Sequence, residues 1–307
     1  MNTARQAFTD TLLELAQENQ SIMALATDSR GSVTLGKFAE SLPDQFVECG
    51  IAEQNAVGIA AGLANMGMVP FVCGPACFFS TRSAEQVKVD MAYSNSNVKI
   101  IGVSGGVSYG ALGTSHHSTQ DIALMRAIPN LKVILPADAA QTAALTRALC
   151  KDTSPAYVRM GRGTVPDVYP SDAAFIIGKA NRLRTGSDIA IIACGEMVHP
   201  ALEAADLLLE LGIDAIVIDM HTIEPLDKEA VVQAARTGAI ITVEEHCVHG
   251  GLGAAVAEFV CQHMPVKMKI MGLPNVPLYS GSSAEVKAYY GLTAQGIADA
   301  AQVLLEE

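Results

Sequence analysis

The sequence predicts an α/β protein of two domains, each a mainly parallel sheet flanked by helices. Short aliphatic segments alternate with segments of helical periodicity, the pattern of consecutive βαβ units. Of the 307 residues 50% are hydrophobic but only 5% aromatic, so small aliphatic side chains build the core, as in sheets covered on both faces. The periodicity stops over residues 161–173 and then resumes. We therefore predict domains at residues 1–165 and 175–307.

The first predicted domain alternates helices and strands from its start. Apolar residues recur at helical spacing over residues 5–19, which predicts the first helix. Further predicted helices are residues 52–66, 81–94, a short one near Gln120, and 138–150. The predicted strands are residues 22–26, 46–48, 69–73, 98–103, 131–135 and 156–159.

The second predicted domain repeats the alternation on a smaller scale. Its predicted strands are residues 189–193, 215–218, 239–243 and 268–270. Its predicted helices are residues 197–211, 228–236 and 251–263, with terminal helices after Ser283. Strands and helices of these lengths indicate parallel βαβ units here as well.

Composition excludes several classes of protein. A formal net charge of −12 makes nucleic acid an unsuitable partner, because phosphate backbones are bound by clustered Lys and Arg. Seven Cys without a Cys-x-x-Cys motif indicate reduced thiols in the cytoplasm. The first residues lack the features of a signal peptide, and Gly and Pro interrupt the longest apolar run, so no membrane association is expected.

The most informative segment is residues 46–63. A short strand, Phe46 to Glu48, turns through Gly50 into a helix of Ala, Gly, Ile and Leu, with Glu53 in its first turn. An acidic residue there has an ordinary explanation, since it is stabilised by the helix dipole. However, the next eleven residues carry no charge, which indicates burial of this end of the helix. A buried carboxylate suits a role in sharing a proton.

Two loops carry candidate polar groups. Residues 27–32 leave a strand at its carboxyl end, where doubly wound sheets bind ligands. The Gly-rich loop 104–118 has the form of an active-site loop and ends in His116 and His117, although a plain surface loop is the alternative. Adjacent imidazoles point opposite ways in extended chain, so one is expected at a substrate and the other in a structural role.

Two arginines follow the last strand of the first domain. Arg159 and Arg162 are each a candidate phosphate ligand or a surface ion pair, and Arg162 and His117 are left without a role. The sequence has no Gly-x-Gly-x-x-Gly, Walker or Gly-Asp-Gly motif of the kind that holds a diphosphate. The phosphates of any phosphorylated cofactor are therefore expected to be held elsewhere.

Several motifs together resemble the C-terminal half of transketolase, and 1-deoxyxylulose-5-phosphate synthase nearly as well. The segment Gly50–Ala56 (GIAEQNA) resembles the glutamate motif of that superfamily. The segment Arg126–Val133 (RAIPNLKV), followed by PAD, resembles a transketolase segment. Further matches are TIEPLD at residues 222–227 and VEEH at 243–246 with GGLGAAVAE at 250–258. The resemblance covers essentially the whole chain.

The resemblance implies one subunit of a split transketolase. The first domain would bind the pyrimidine of thiamine diphosphate, and a separate chain would supply the ligands for the diphosphate and Mg²⁺. Two copies of each chain would form an α2β2 heterotetramer with the cofactor between chains. The enzyme would transfer a two-carbon ketol unit between sugar phosphates.

Cofactor contacts are carried over from the family by motif. Glu53 matches the glutamate that hydrogen-bonds N1′ of the thiamine aminopyrimidine and so promotes loss of the proton from C2 of the thiazolium. Phe79 matches the aromatic residue that stacks on the pyrimidine, with Phe78 as a helper. Asp28 matches the acid near the thiazolium.

Substrate contacts are carried over in the same way, with two departures. Ser32 and Arg159 match residues that contact the substrate phosphate, and His116 matches the histidine that contacts the donor's hydroxyls. Leu112 stands where transketolase has an Asp that reads a sugar hydroxyl, and Ser104 stands where a phosphate-contacting His is expected.

The Leu112 departure leads to a hypothesis about the substrate. Replacing a carboxylate with an apolar side chain removes a hydrogen-bond acceptor for a hydroxyl. We therefore expect a branched, deoxy or otherwise modified ketose phosphate as donor. A split deoxyxylulose-phosphate synthase and a 2-oxo acid dehydrogenase β subunit are alternatives with the same cofactor. A regulatory subunit with a vestigial cofactor site is an alternative of another class.

Overall fold

The computed structural model describes residues 3–307 and confirms two α/β sheets flanked by helices. The first half contains strands β1 (Ile22–Ala26), β2 (Phe46–Glu48), β3 (Val69–Pro75), β4 (Lys99–Val103), β5 (Lys132–Ile134) and β6 (Ala156–Met160). Its helices are α1 (Ala4–Glu18), α2 (Gly36–Ser41), α3 (Glu53–Asn65), α4 (Ala76–Arg82), α5 (Ala84–Gln86), α6 (Asp121–Arg126) and α7 (Ala139–Lys151).

The second half follows an irregular segment. Its strands are β7 (Asn181–Arg184), β8 (Ile189–Ala193), β9 (Ala215–Asp219), β10 (Thr222–Glu224), β11 (Ala239–Cys247) and β12 (Lys267–Leu273). Its helices are α8 (Val198–Glu210), α9 (Lys228–Ala235), α10 (Leu252–His263), α11 (Ser283–Tyr289) and α12 (Ala294–Glu306).

Both sheets are parallel except for one edge strand each. The seven-stranded sheet has the order β10-β5-β6-β4-β3-β1-β2, with β10 antiparallel to β5. The five-stranded sheet has the order β12-β11-β8-β9-β7, with β7 antiparallel to β9. Because β10 comes from the second half of the chain, the first sheet is completed by a strand from beyond the irregular segment. The two halves are therefore joined by backbone hydrogen bonds as well as by packing.

Helices cover the sheets through small aliphatic side chains. Residues of β1, β4 and β6 are buried throughout, as expected for strands that carry helices on both faces. The helix α3 lies on this sheet with Ala56, Val57 and Ala60 fully buried. No helix within residues 3–307 is long and apolar enough to cross a membrane.

The helical segment predicted at residues 81–94 is wrong in its start and its form. A helix already begins at Ala76, directly after Pro75, and stops at Ser83. There the Ser83 hydroxyl donates to the Phe79 carbonyl at 2.6 Å, a local bond that competes with the helix ladder. A π-helical turn then covers Val87–Tyr93. Strands β7 and β10 and helix α2 were also not predicted, because each is too short for periodicity to reveal.

Candidate active site

Four neighbouring parallel strands bring the predicted site residues to one edge of the first sheet. The strands β2, β1, β3 and β4 lie side by side, and their carboxyl ends meet at this edge. The segment after each strand contributes to a cavity of about 360 Å³. Its walls are Thr27, Asp28, Ser29, Ser32, Ile51, Glu53, Pro75, Phe78, Arg82, Tyr109, Leu112 and His116. Ligands bind at this edge in open α/β sheets.

Glu53 lies on the cavity wall at the first position of α3 and is only 4% exposed. Arg82 Nη1 donates a hydrogen bond to Glu53 Oε1 at 2.8 Å. Within residues 3–307 the other carboxylate oxygen makes no hydrogen bond, so it is available to a ligand. The arrangement gives the cavity one hydrogen-bond acceptor fixed by the helix start and by a guanidinium.

Sequence reasoning missed Arg82. Its guanidinium carbon lies 3.9 Å from the centre of the Phe78 ring, a cation–π contact. Phe78 and Arg82 are four residues apart on α4 and therefore share one face of that helix. That spacing was the available signal, because an aromatic residue that faces the cavity places the residue four positions later beside it.

The structure places Phe78, rather than Phe79, on the cavity wall. Phe79 is fully buried in the hydrophobic core, and its ring packs so closely on Gly74 that a Cβ there would lie 2.5 Å from it. Phe79 therefore supports the wall from behind. Phe78 is the ring that a bound group can contact.

The loop after β1 is held in shape by a neighbouring strand. Glu48 Oε1 accepts hydrogen bonds from the backbone N–H of Asp28 at 2.8 Å and of Gly50 at 3.2 Å. Asp28 itself has a positive φ of 54° and an exposed side chain on the cavity wall. Ser32 lies further along the same wall, where its carbonyl accepts a hydrogen bond from Arg5 Nη1 at 2.9 Å.

Loop 104–118 forms the outer wall of the cavity. His116 packs edge-on between the Phe78 and Tyr109 rings, at centroid distances of 5.4 and 5.6 Å. Leu112 is 55% exposed and also faces the cavity. His117 points away, is buried, and contacts the Gly110 carbonyl through Nε2 at 3.1 Å. Of the two imidazoles, only that of His116 reaches the cavity.

Two predicted substrate contacts lie outside the cavity. Ser104 is fully buried and its hydroxyl has no hydrogen-bond partner. Arg159 is 6% exposed, lies 3.3 Å from Asp121 through Nε, and donates from Nη2 to the Glu245 carbonyl at 2.7 Å. Burial opposes the charge, but the carboxylates of Asp121 and Glu245 outweigh it and raise the pKa of Arg159. Arg159 is therefore committed to a buried ion network between the two halves of the chain.

The cavity fits the pyrimidine half of a thiamine cofactor. An aminopyrimidine needs a hydrogen-bonding carboxylate and an apolar surface for its ring, and Glu53 and Phe78 supply these on one wall. Within residues 3–307 no three His, Cys, Asp or Glu side chains are grouped so that they could hold a metal ion.

A single buried carboxylate beside an aromatic ring, at the carboxyl edge of a doubly wound sheet, defines a cofactor-dependent α/β enzyme subunit. Residues 1–167 match the family model of the transketolase pyrimidine binding domain, and residues 178–297 match that of the transketolase C-terminal domain. The chain belongs to the transketolase family, as its motifs predicted, and is a subunit of a transketolase-type enzyme.

Individual relatives match the chain over nearly its whole length. It is 56% identical over 97% of its length, and 96% of the relative's, to one subunit of the apulose-4-phosphate transketolase of Phocaeicola vulgatus. It is 37% identical, over 98% of its length and 94% of the relative's, to a 6-deoxy-6-sulfo-D-fructose transketolase subunit of a Clostridium species. Among solved structures, a split gene transketolase described as an inactive β4 tetramer matches with a TM-score of 0.92, 40% identity and 100% coverage of this chain, 99% of that one.

Proposed function

We propose that this chain is the pyrimidine-binding subunit of a split transketolase, and that Glu53 is its essential acid–base residue. The observation that carries the proposal is the isolated, 4% exposed carboxylate of Glu53 on the wall of the cavity, next to the Phe78 ring. When bound, thiamine diphosphate supplies a nucleophilic carbon that accepts a two-carbon ketol unit from a ketose phosphate and passes it to an aldose phosphate.

This chain's residues have distinct roles in that proposal. Glu53 hydrogen-bonds N1′ of the pyrimidine through the oxygen that Arg82 leaves free, and Arg82 keeps the carboxylate in place. Phe78 provides the surface for the pyrimidine ring, with Phe79 as its support in the core. Asp28 faces the cavity from the opposite loop, on the thiazolium side. His116 contacts the hydroxyls of the donor sugar from between the rings of Phe78 and Tyr109.

A partner chain completes the site in this proposal. The sequence lacks the Gly-Asp-Gly motif that holds a diphosphate and Mg²⁺, so we assign those ligands to an N-terminal, diphosphate-binding subunit. We expect an α2β2 heterotetramer in the cytoplasm. The solved relative that consists of β chains alone is described as inactive, which supports a need for a second kind of chain.

The donor is proposed to be a branched or otherwise modified ketose phosphate. The 55% exposed Leu112 side chain faces the cavity from the loop where a hydroxyl-reading carboxylate was expected. The names of two relatives support this proposal, since one is assigned to apulose 4-phosphate and the other to a sulfonated deoxyketose. Equal or faster turnover of xylulose 5-phosphate with ribose 5-phosphate, compared with every modified ketose, would contradict it.

The variant Glu53→Gln tests the proposed function. It keeps the size of the side chain but removes its charge and proton affinity, so ketol transfer by the assembled enzyme should fall by about 10²–10⁴-fold, the usual contribution of an acid–base group. The Tm of the chain should change little by comparison. The matched control is Glu40→Gln, which changes an exposed carboxylate on α2 and should leave transfer unchanged.

Two results would count against the proposal. Transfer by Glu53→Gln within about threefold of wild type would remove Glu53 from the mechanism. Release of CO₂ from pyruvate by the wild-type enzyme would favour the synthase or dehydrogenase alternatives, since ketol transfer between sugars releases none.

A further inference from the structure

Two arginines that sequence reasoning did not place together lie at one end of the cavity. Arg162 Nη1 donates to the Tyr109 hydroxyl at 2.8 Å, with its guanidinium carbon 4.8 Å from the centre of that ring. The Tyr109 hydroxyl lies 3.3 Å from Ser32 Oγ, and Arg5 donates to the Ser32 carbonyl. Tyr109 and Ser32 both line the cavity. Two guanidinium groups and two hydroxyls therefore meet at its rim.

The charges of these arginines are not balanced by the protein. Within residues 3–307, neither guanidinium has a carboxylate oxygen within 4.0 Å, although the chain carries a net charge of −12. Arg5 Nε is buried and has no hydrogen-bond partner. Burial and the nearby positive charge of Arg162 lower the pKa of Arg5. An anion between the two groups would relieve their repulsion and supply the missing acceptor.

The arginines lie at the opposite end of the cavity from Glu53. From Glu53 the wall passes through Arg82 and Phe78, then through His116, and reaches Tyr109. A ketose that presents its carbonyl end at the cofactor would thus extend past His116 and place its far end at Tyr109. The group carried at that far end is the one the arginines can contact.

We propose that Arg162 and Arg5, together with the hydroxyls of Tyr109 and Ser32, bind the terminal tetrahedral oxyanion of the donor ketose. Phosphate and sulfonate share this chemistry. The assignment of the ligand as a ketose rests on the proposed function. Arg159, the arginine expected from the family motif, is excluded from this role by its contacts with Asp121 and Glu245.

Binding of small anions to the full chain tests the site without any need for activity. The probes are inorganic phosphate and methanesulfonate, with thermal unfolding as the readout. Phosphate at tenfold its Kd should raise the Tm by about 2–4 °C, since the stabilisation is then about 1.4 kcal/mol. Arg162→Gln and Arg5→Gln should abolish the shift, and Arg162→Lys should retain part of it. Arg182→Gln, which removes an exposed arginine of β7, should leave the shift unchanged.

A response to either probe that depends on Arg162 or Arg5 supports the site, and comparison of the two probes identifies the preferred anion. No shift with either anion, or an unchanged shift in both Gln variants, would overturn the inference. Neither result depends on ketol transfer, so failure of the site and failure of the proposed function are distinguishable.

Kinetics of the assembled enzyme give a second measurement. Loss of a charged hydrogen bond costs about 1.5–3 kcal/mol, so Arg162→Gln should raise KM for a ketose phosphate by about 10- to 100-fold. Turnover of the same ketose without its phosphate should stay within about twofold of wild type. An equal loss with both donors would show a structural role for Arg162 and would contradict the proposal.

Discussion

Residues of similar chemistry in this chain differ in role because their surroundings differ. Arg82, Arg162 and Arg159 all lie near the carboxyl edge of the first sheet. Arg82 fixes the carboxylate of Glu53, whereas Arg159 is held by Asp121 and Glu245 and is nearly inaccessible. Arg162 contacts only a hydroxyl and an aromatic face. A guanidinium with no carboxylate beside it keeps its capacity to bind an anion.

The side chain at position 112 should control donor preference. Leu112→Asp restores a hydrogen-bond acceptor on the loop that faces the cavity. We expect it to raise kcat/KM for an unbranched ketose phosphate, relative to a modified one, by about 5- to 10-fold, the effect of one hydrogen bond. The measurement is competition between the two donors with one acceptor.

The control for this prediction is Leu209→Asp, which introduces the same charge at a similarly exposed leucine of α8, at 52% against 55% exposure. It should leave the ratio of the two kcat/KM values unchanged. A Leu112→Asp ratio equal to that of wild type would show that position 112 does not read the donor.

Sequence alone predicted the groups at strand ends better than the contacts between them. Glu53 stands out because it is the one charge at the start of an uncharged helix, and the structure buries it on the cavity wall. The ion pair with Arg82 joins residues 29 positions apart and leaves no local pattern. The burial of Arg159 depends on Glu245, 86 residues away, so a family motif on its own strand could not reveal it.

At the scale of elements, loop 104–118 is positioned by the second half of the chain. Gly106 and Ser118 pair their backbones, with N–H to O distances of 3.0 and 2.8 Å, and so close the base of the loop. The Val107 N–H donates to Glu245 Oε1 at 2.7 Å, and Glu245 belongs to β11. The Gly281 N–H also donates to the Gly110 carbonyl. Flexibility expected from the glycines is therefore limited at the base, and the exposed positions 111–116 remain for the substrate.

Gly106 should be intolerant of a side chain. Its φ is +59°, and an added Cβ would lie 2.3 Å from Glu245 Oε1 and 2.5 Å from Arg159 Nη2. Gly106→Ala should lower the free energy of unfolding by at least about 1–2 kcal/mol, the cost of the left-handed conformation alone. Ketol transfer should fall as well, because the loop that carries Leu112 and His116 is displaced.

The matched control is Gly163→Ala, a position with open space around it and an ordinary φ. Urea unfolding and transfer assays on both variants give the comparison. If Gly106→Ala proved as stable and as active as Gly163→Ala, the contact between Glu245 and the base of the loop would have no role in holding it.

At the scale of the whole molecule, the two halves are joined by buried polar contacts as well as by β10. Asp219 ends β9, and its Oδ2 accepts hydrogen bonds from Gln141 of α7 at 2.7 Å and from the Tyr169 hydroxyl at 2.6 Å. Asp138 Oδ2 accepts from the backbone N–H groups of Val168 and Tyr169. The irregular segment between the halves is thus fixed to both of them. Periodicity located this segment, but long-range polar contacts of this kind have no sequence pattern.

These contacts predict a pH-dependent stability. Burial raises the pKa of Asp219 from 3.8 to about 7 in the folded chain. Because the folded pKa lies above the unfolded value, the contribution is fully present below pH 3.8 and is lost as the pH rises through about 7. Between pH 6 and pH 8 the wild-type chain should lose about 1.4 kcal/mol of unfolding free energy relative to Asp219→Asn, which cannot ionise. Urea unfolding of both proteins at pH 6, 7 and 8 measures the difference. Asp172→Asn, an exposed carboxylate in the same segment, should follow the wild-type curve. If wild type and Asp219→Asn lost stability in parallel, Asp219 would be ionised throughout this range, and its hydrogen bonds from Gln141 and Tyr169 would outweigh the effect of burial.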